Sequence, residues 1–158
     1  MHLTEKHNCL NHGLRECSLA ISCLIAIALV CVQTLPLMAN PVDGVVSAGS
    51  ANIDQAGNTL TVTQQTDKAV IDWRGFDIAG GETTQFVQPS SASLTLNRIN
   101  SNAPSFINGH LNANGNLFLV NPNGVIFGNG ARVDVNGLIA STADISNDAF
   151  MNSTGLLN

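Results

Sequence analysis

The sequence has 158 residues, 44% hydrophobic but only 11% charged, with a formal net charge of −5. That apolar content is too high for a disordered chain. The negative balance and the scatter of Lys68, Arg74, Arg98 and Arg132 argue against a nucleic-acid partner, which needs clustered cations.

The first 39 residues read as a leader. A polar stretch with Lys6 and Arg15 precedes an apolar run from Leu19 to Val32, broken by Ser22, and Pro36 follows. This is the layout of a secretory signal peptide, and the run is short of the roughly 20 residues of a membrane span. Residues 1–39 are expected to form a helical signal peptide recognised by the Sec machinery, cut between Ala39 and Asn40. An uncleaved anchor is the alternative. Cys9, Cys17, Cys23 and Cys31 all lie in the leader, so the mature chain relies on packing and backbone hydrogen bonds rather than disulfides.

After Asn40 no 10-residue stretch has convincing helical periodicity, and short strands separated by turn residues are predicted throughout. Val45-Val46 opens the series. Leu60 to Thr63 alternates apolar with polar, after a turn at Gly57-Asn58. In AVIDWRGFDI (69–78), Ile71 and Trp73 share a face, and the phase then slips so that Phe76 and Ile78 are the next large residues. A glycine at the slip, Gly75, predicts a bulge or corner. Phe86-Val87 is a short strand ended by Pro89, and Leu94 and Leu96 alternate around Thr95 before Asn97-Arg98-Ile99.

From Ile107 the punctuation is nearly regular. Asn-Gly pairs stand at 108–109, 114–115, 123–124, 129–130 and 136–137, around Leu117–Val120, Val125–Phe127, Val133–Val135 and Leu138–Ala140. Such brief strands suit a solenoid, whose coils stack strand on strand through tight corners, better than a hairpin meander. Gly at these pairs is expected to accept the corner conformation, and Asn to hydrogen-bond along the stack. The expected core is Trp73, Phe76, Leu117, Leu119, Phe127, Val133 and Val135.

Catalysis finds little to build on. Asp72 with Arg74, or Arg132 with Asp134, would place opposite charges on one strand face, and a solvated outer face explains both. His110 is the only histidine after the leader. Asp134 to Gly137 lacks the further ligands of a calcium loop. No catalytic residue, cofactor or metal is expected.

The run NPNGVIFGNGARVDVNGLIAST (121–142) resembles the secretion domain of filamentous haemagglutinin-type exoproteins, the passengers of bacterial two-partner secretion. The resemblance extends through NPVDGVVSAGSANI (40–53), AVIDWRGFDI (69–78), QPSSASLTLNRI (88–99) and FINGHLNANGNLFLVNPNG (106–124). It implies an all-β, right-handed, single-stranded parallel β-helix with an N-terminal cap over 40–158, incomplete at its C-terminal end. It also implies export through the periplasm to the surface of a Gram-negative bacterium. The partner would be an outer-membrane transporter whose POTRA domains recognise the unfolded chain. Asn121, Pro122, Asn123 and Gly124 are the candidate secretion motif, read either as a recognition and folding-nucleation turn or as an ordinary solenoid corner. An adhesin or toxin carrier, with host-cell ligands bound by downstream regions, and a β-helix carbohydrate enzyme are the other readings.

Overall fold

The computed structural model describes residues 39–154. Residues 1–38 of the expected leader, with the four cysteines and the helix expected there, lie outside the described residues, whereas Ala39 and Asn40 lie within them. The described chain is mostly β, a β-solenoid of about four turns.

Ten strands appear in chain order: β1 Val45–Ala48, β2 Ala51–Ala56, β3 Thr59–Gln64, β4 Lys68–Trp73, β5 Thr83–Val87, β6 Leu94–Ile99, β7 Ser105–Ile107, β8 His110–Val120, β9 Val125–Phe127 and β10 Arg132–Ser141. From β3 onward they stack in parallel as three faces. On the first face Thr59 stands on Thr83, and Thr83 on His110, and His110 on Arg132. On the second, Val70 stands on Leu96, Leu96 on Phe118 and Phe118 on Ile139. The third joins Ile78, β7 and β9. β8 and β10 each run through the corner between the first two faces, which in the earlier coils is a loop.

The N-terminal end is closed differently. β1 pairs antiparallel with β4, and β2 pairs antiparallel with β3. The β2–β3 hairpin turns at Gly57, whose φ of +54° suits a glycine-first hairpin loop. Both faces of the first coil therefore end in antiparallel partners, which form the cap.

The interior packs Ile71, Trp73, Phe76, Ile78, Phe86, Ile99, Ile107, Leu111, Leu117 and Leu119 into one cluster. Trp73 meets Phe76 edge-on at 5.7 Å across the corner at Gly75, where the phase slips as the sequence implies. The buried Trp73 indole N–H donates to Asn97 Oδ1 at 2.9 Å, so the interior asparagine is satisfied.

A second cluster lies outside the second face. Val70, Leu94, Leu96, Phe118 and Val120 point outward and are covered by a short helix, α1 (Asn147–Asn152), through Phe150. Leu94 and Leu96 do alternate with Thr95, but it is Thr95 that shares the interior side with Leu117. Lys68 Nζ donates to the carbonyls of Phe150 at 3.0 Å and Met151 at 3.1 Å, and also to that of Ser153, favourable charge at a helix C-terminus. Arg98 donates to Asp144, Asn147 and the Ile145 carbonyl ahead of the helix. This helix has too few residues for periodicity to betray it.

Two expected core residues differ from the reading. Phe127 is 41% exposed and Val133 is 40% exposed. Each stands directly on a buried interior residue, Ile107 and Leu111 respectively, so both point inward. They belong to the last strands of the stack, and no described strand is paired beyond them.

The corner between the first two faces carries a buried polar spine. Gln88 Nε2 donates to Thr95 Oγ1 at 3.0 Å and to the Asn116 carbonyl at 3.3 Å, while Gln88 Oε1 accepts from Gly115 N at 2.9 Å. Thr95 Oγ1 donates in turn to Gln64 Oε1 at 2.5 Å. Asn136 Nδ2 donates to Asn116 Oδ1 at 3.0 Å, which extends the chain of bonds to the last coil. A Cβ at Gly115 would lie 2.7 Å from Gln88 Oε1 and 2.8 Å from the Ser93 carbonyl, whereas one at Gly80 would meet nothing within 4 Å. Gly115→Ala is therefore expected to destabilise the domain by about 1–3 kcal/mol through overpacking, and Gly80→Ala by less than about 0.5 kcal/mol. Denaturant unfolding of both variants checks this, and equal midpoints would refute the role of the spine.

Candidate functional site

Asn121 to Gly124 forms the turn between β8 and β9. Pro122 has a fixed φ suited to the turn, and Gly124 takes φ +96°, a conformation that disfavours any side chain. Asn121 Oδ1 accepts from Asn123 N at 2.9 Å, and Gly124 N donates to the Asn121 carbonyl at 2.9 Å. The side chain thus adds a second bond inside a turn that the backbone already closes.

Asn121 is also fully buried, at 0% exposure. Its Nδ2 donates to the Ala103 carbonyl at 3.1 Å and to Ser105 Oγ at 3.0 Å, both in the preceding coil. Its backbone N–H donates to the Ser141 carbonyl of the following coil at 3.0 Å. Asn123 is exposed, and its Nδ2 reaches the Ser101 carbonyl at 2.8 Å. The motif is a corner bonded to the coils on both sides.

Its neighbours in the stack use the same device. Ser101 Oγ accepts from Ala103 N at 3.3 Å, and Ser141 Oγ accepts from Ala143 N at 3.0 Å. Each is a side-chain oxygen bonding the backbone two residues on, as in Asx and Ser/Thr turns. Ser101 and Ser141 escaped the sequence reading because serine is common in any loop. The signal available was their separation from Asn121 by one coil each.

The Asn-Gly pairs divide into two kinds. Of their five glycines only Gly124 has positive φ. A Cβ at Gly109 would lie 2.3 Å from the Ala79 carbonyl, so Gly109 is required by the close approach of coils rather than by its dihedral. Asn114-Gly115 and Asn136-Gly137 fall within β8 and β10. The expectation that all five accept an unusual corner conformation is corrected accordingly.

The charged pairs weighed for catalysis are redistributed. Arg74 pairs with Asp43 at 2.5 Å on the exposed surface. Asp72 pairs instead with Arg98, its direct cross-strand neighbour, at 2.9 Å. Burial disfavours the Arg98 charge, but hydrogen bonds to Asp144 and Asp72 outweigh it and raise the guanidinium above its ordinary pKa. Arg132 and Asp134 are both exposed and do not form an ion pair with each other. No group of three metal-ligating side chains is found among the described residues.

The burial difference generates a direct test. Asn121→Ala leaves the buried Ser105 hydroxyl without its partner and removes the side-chain bonds to the Ala103 carbonyl and to Asn123 N, and is expected to cost about 2–3 kcal/mol. Asn123→Ala removes one exposed bond and is expected to cost less than about 1 kcal/mol. Equilibrium unfolding of both variants measures the gap, and a costlier Asn123 variant would contradict this account of the corner.

Comparison with known proteins agrees with the fold. The TPS secretion domain family matches residues 38–158. The heme/hemopexin-binding protein of Haemophilus influenzae (strain ATCC 51907 / DSM 11121 / KW20 / Rd) is 43% identical over 100 residues, covering 63% of this chain and 11% of that protein. A second Haemophilus influenzae heme/hemopexin-binding protein is 41% identical over 98 residues, covering 61% of this chain and 11% of its own length. The crystal structure of the HMW1 secretion domain from Haemophilus influenzae superimposes with a TM-score of 0.66 at 38% identity, covering 69% of this chain and 29% of that one. The chain therefore spans only a small part of the curated relatives it matches. It belongs to the TPS secretion domain family, the typically non-catalytic domain of two-partner secretion exoproteins.

Proposed function

We propose that this domain is read as an unfolded chain by the POTRA domains of a partner outer-membrane transporter and then serves outside the cell as the template on which a longer exoprotein folds. Family membership implies a transporter partner and a secreted or surface exoprotein of a Gram-negative bacterium. The observation that carries the template role is the asymmetry of the stack. Antiparallel β1 and β2 cap its N-terminal end, while β9 and β10, the last stacked strands among the described residues, each pair in parallel with the strand before. Strands arriving later in the chain have a parallel edge to pair with at one end only.

Export needs a directional bias, and the stack offers one. Each docked coil buries apolar side chains at about 25 cal/mol per Å², and a coil so docked resists sliding back through a pore. Recognition belongs to the preceding, unfolded stage. Asn121 is inaccessible in the folded domain, so a receptor that reads its amide does so before folding. Unfolded segments also present unpaired backbone groups, which a receptor strand or edge can capture by strand addition. The stretches 55–66 and 88–100, with their alternating apolar residues, are the candidates for that capture. Cargo identity, whether adhesin or toxin, belongs to regions beyond the domain.

Secretion of Asn123→Ala separates the two roles of the corner. The substitution spares the fold, so recognition predicts that co-expression with the partner transporter yields at least about fivefold less chain in the medium, with the purified variant still folded. Wild-type secretion by a folded Asn123→Ala variant would make the motif a structural corner alone. Peptides spanning 55–66 and 88–100 are expected to bind the isolated POTRA domains, and calorimetric titration showing neither binding would sink the strand-capture route.

A further inference from the structure

Glu82 is a carboxylate placed where few are tolerated. It is 5% exposed, in the loop between Gly81 and β5. Oε2 accepts from Ala79 N at 3.0 Å and Oε1 accepts from Ala39 N at 2.9 Å. The ion pairs among the described residues are Arg74 with Asp43, and Arg98 with Asp72 and Asp144, so among these residues Glu82 has neutral donors only. Burying a carboxylate against neutral amides leaves much of its desolvation penalty uncompensated.

The residue after Ala39 is fixed in the fold. Asn40 is buried, its Nδ2 donates to the Asn58 carbonyl at 3.1 Å, and its Oδ1 accepts from Thr84 Oγ1 at 3.4 Å. Val42 N then donates to the Gly75 carbonyl at 2.9 Å, which holds the segment against the first coil. A cut between Ala39 and Asn40 would remove the amide now bonded to Glu82. It would also create a charged amine with three donors one residue further on, on a residue whose side chain is already anchored.

We propose that Glu82 is a built-in acceptor site for a primary ammonium group, occupied by the new α-amino terminus of Asn40 after the leader is removed. The proposal rests on the export reading and on the expected cut. It makes the N-terminal cap complete only in the processed chain, because a neutral donor is exchanged for the cation that the buried carboxylate lacks. The other charged groups near this point do not compete. His110 donates its backbone N–H to the Glu82 carbonyl at 2.9 Å but has an exposed side chain, as does Arg132 above it, and Asp43 is exposed and paired with Arg74.

The test uses the full chain exported through the Sec route and purified after processing. Intact mass fixes the first residue, and the pH dependence of α-amine labelling reads its ionisation. A free α-amine titrates near 7.7–8.0. Pairing with Glu82 is expected to raise that value and to slow labelling at pH 8 by roughly three- to tenfold, with Glu82→Gln restoring the ordinary rate. The linked stability is full below the unfolded-state value and is lost as pH rises through the raised folded-state value. A chain beginning at Asn40 with an ordinary amine overturns the pairing and leaves export intact. A chain beginning anywhere other than Asn40 overturns the cut and the pairing together. The wild-type titration decides the matter even where Glu82→Gln does not fold.

Discussion

The rest of the structure depends on the bonds that Gln88 makes at the corner between the first two faces. Apolar packing favours stacked coils but is non-directional, and a shift of two residues along a strand preserves the alternation. The Gln88 amide admits far less freedom. Its nitrogen is bonded to Thr95 and its oxygen to the Gly115 N–H, in the coil that follows. A slipped register would leave buried amide groups unpaired at about 1–3 kcal/mol each. Gly115 is part of the same constraint, since the space a side chain would need is filled by Gln88. Polar groups inside the corner thus specify a register that the hydrophobic interior only permits.

With register fixed, the two ends of the stack acquire different characters. The hairpin of β2 and β3 and the antiparallel β1 occupy the N-terminal edges of the first two faces. The outer edges of β3 and β4 are occupied in this way, and β2 and β1 become the outermost strands at that end. Segment 142–154 turns back over the second face instead of continuing along it, with Lys68 and Arg98 gripping it at either end. Lys68 belongs to the first coil and α1 follows the last strand, so this contact ties sequence-distant parts of the stack together. The outward Leu94 and Leu96 are buried as a result, which explains why these strands are apolar on both sides.

Much of this was legible in the sequence, for identifiable reasons. Period-2 alternation exposed β3, and the slip at Gly75 exposed a corner because bulky residues on both sides of it had to stay inside. The blocks that carried the family resemblance located the Asn121 turn. What was hidden depended on partners distant in sequence. Nothing local marks Leu94 as outward-facing, because the residues that cover it come some fifty positions later. Lys68 and Arg98 read as scattered surface charges until the chain folds back to meet them. The Asn-Gly pairs were visible, but a glycine required by a neighbouring coil's backbone and one required by its own φ look identical in a sequence.

That distinction bears on how a proposed secretion motif and a structural corner share the same residues. In the folded domain the Asn121 side chain has no surface left for a receptor, since the preceding coil and its own turn use its amide. A residue selected for both tasks must perform them at different times, first on an unfolded chain and then inside a corner. The exposed Asn123 carries no such restriction, because its single bond to Ser101 lies at the surface. Folding therefore withdraws one half of the motif while leaving the other displayed, and any receptor that needs both asparagines releases the chain as the corner closes. Under the proposed reading, release from the transporter requires no separate signal: closing the turn at Asn121 is itself the step that ends recognition.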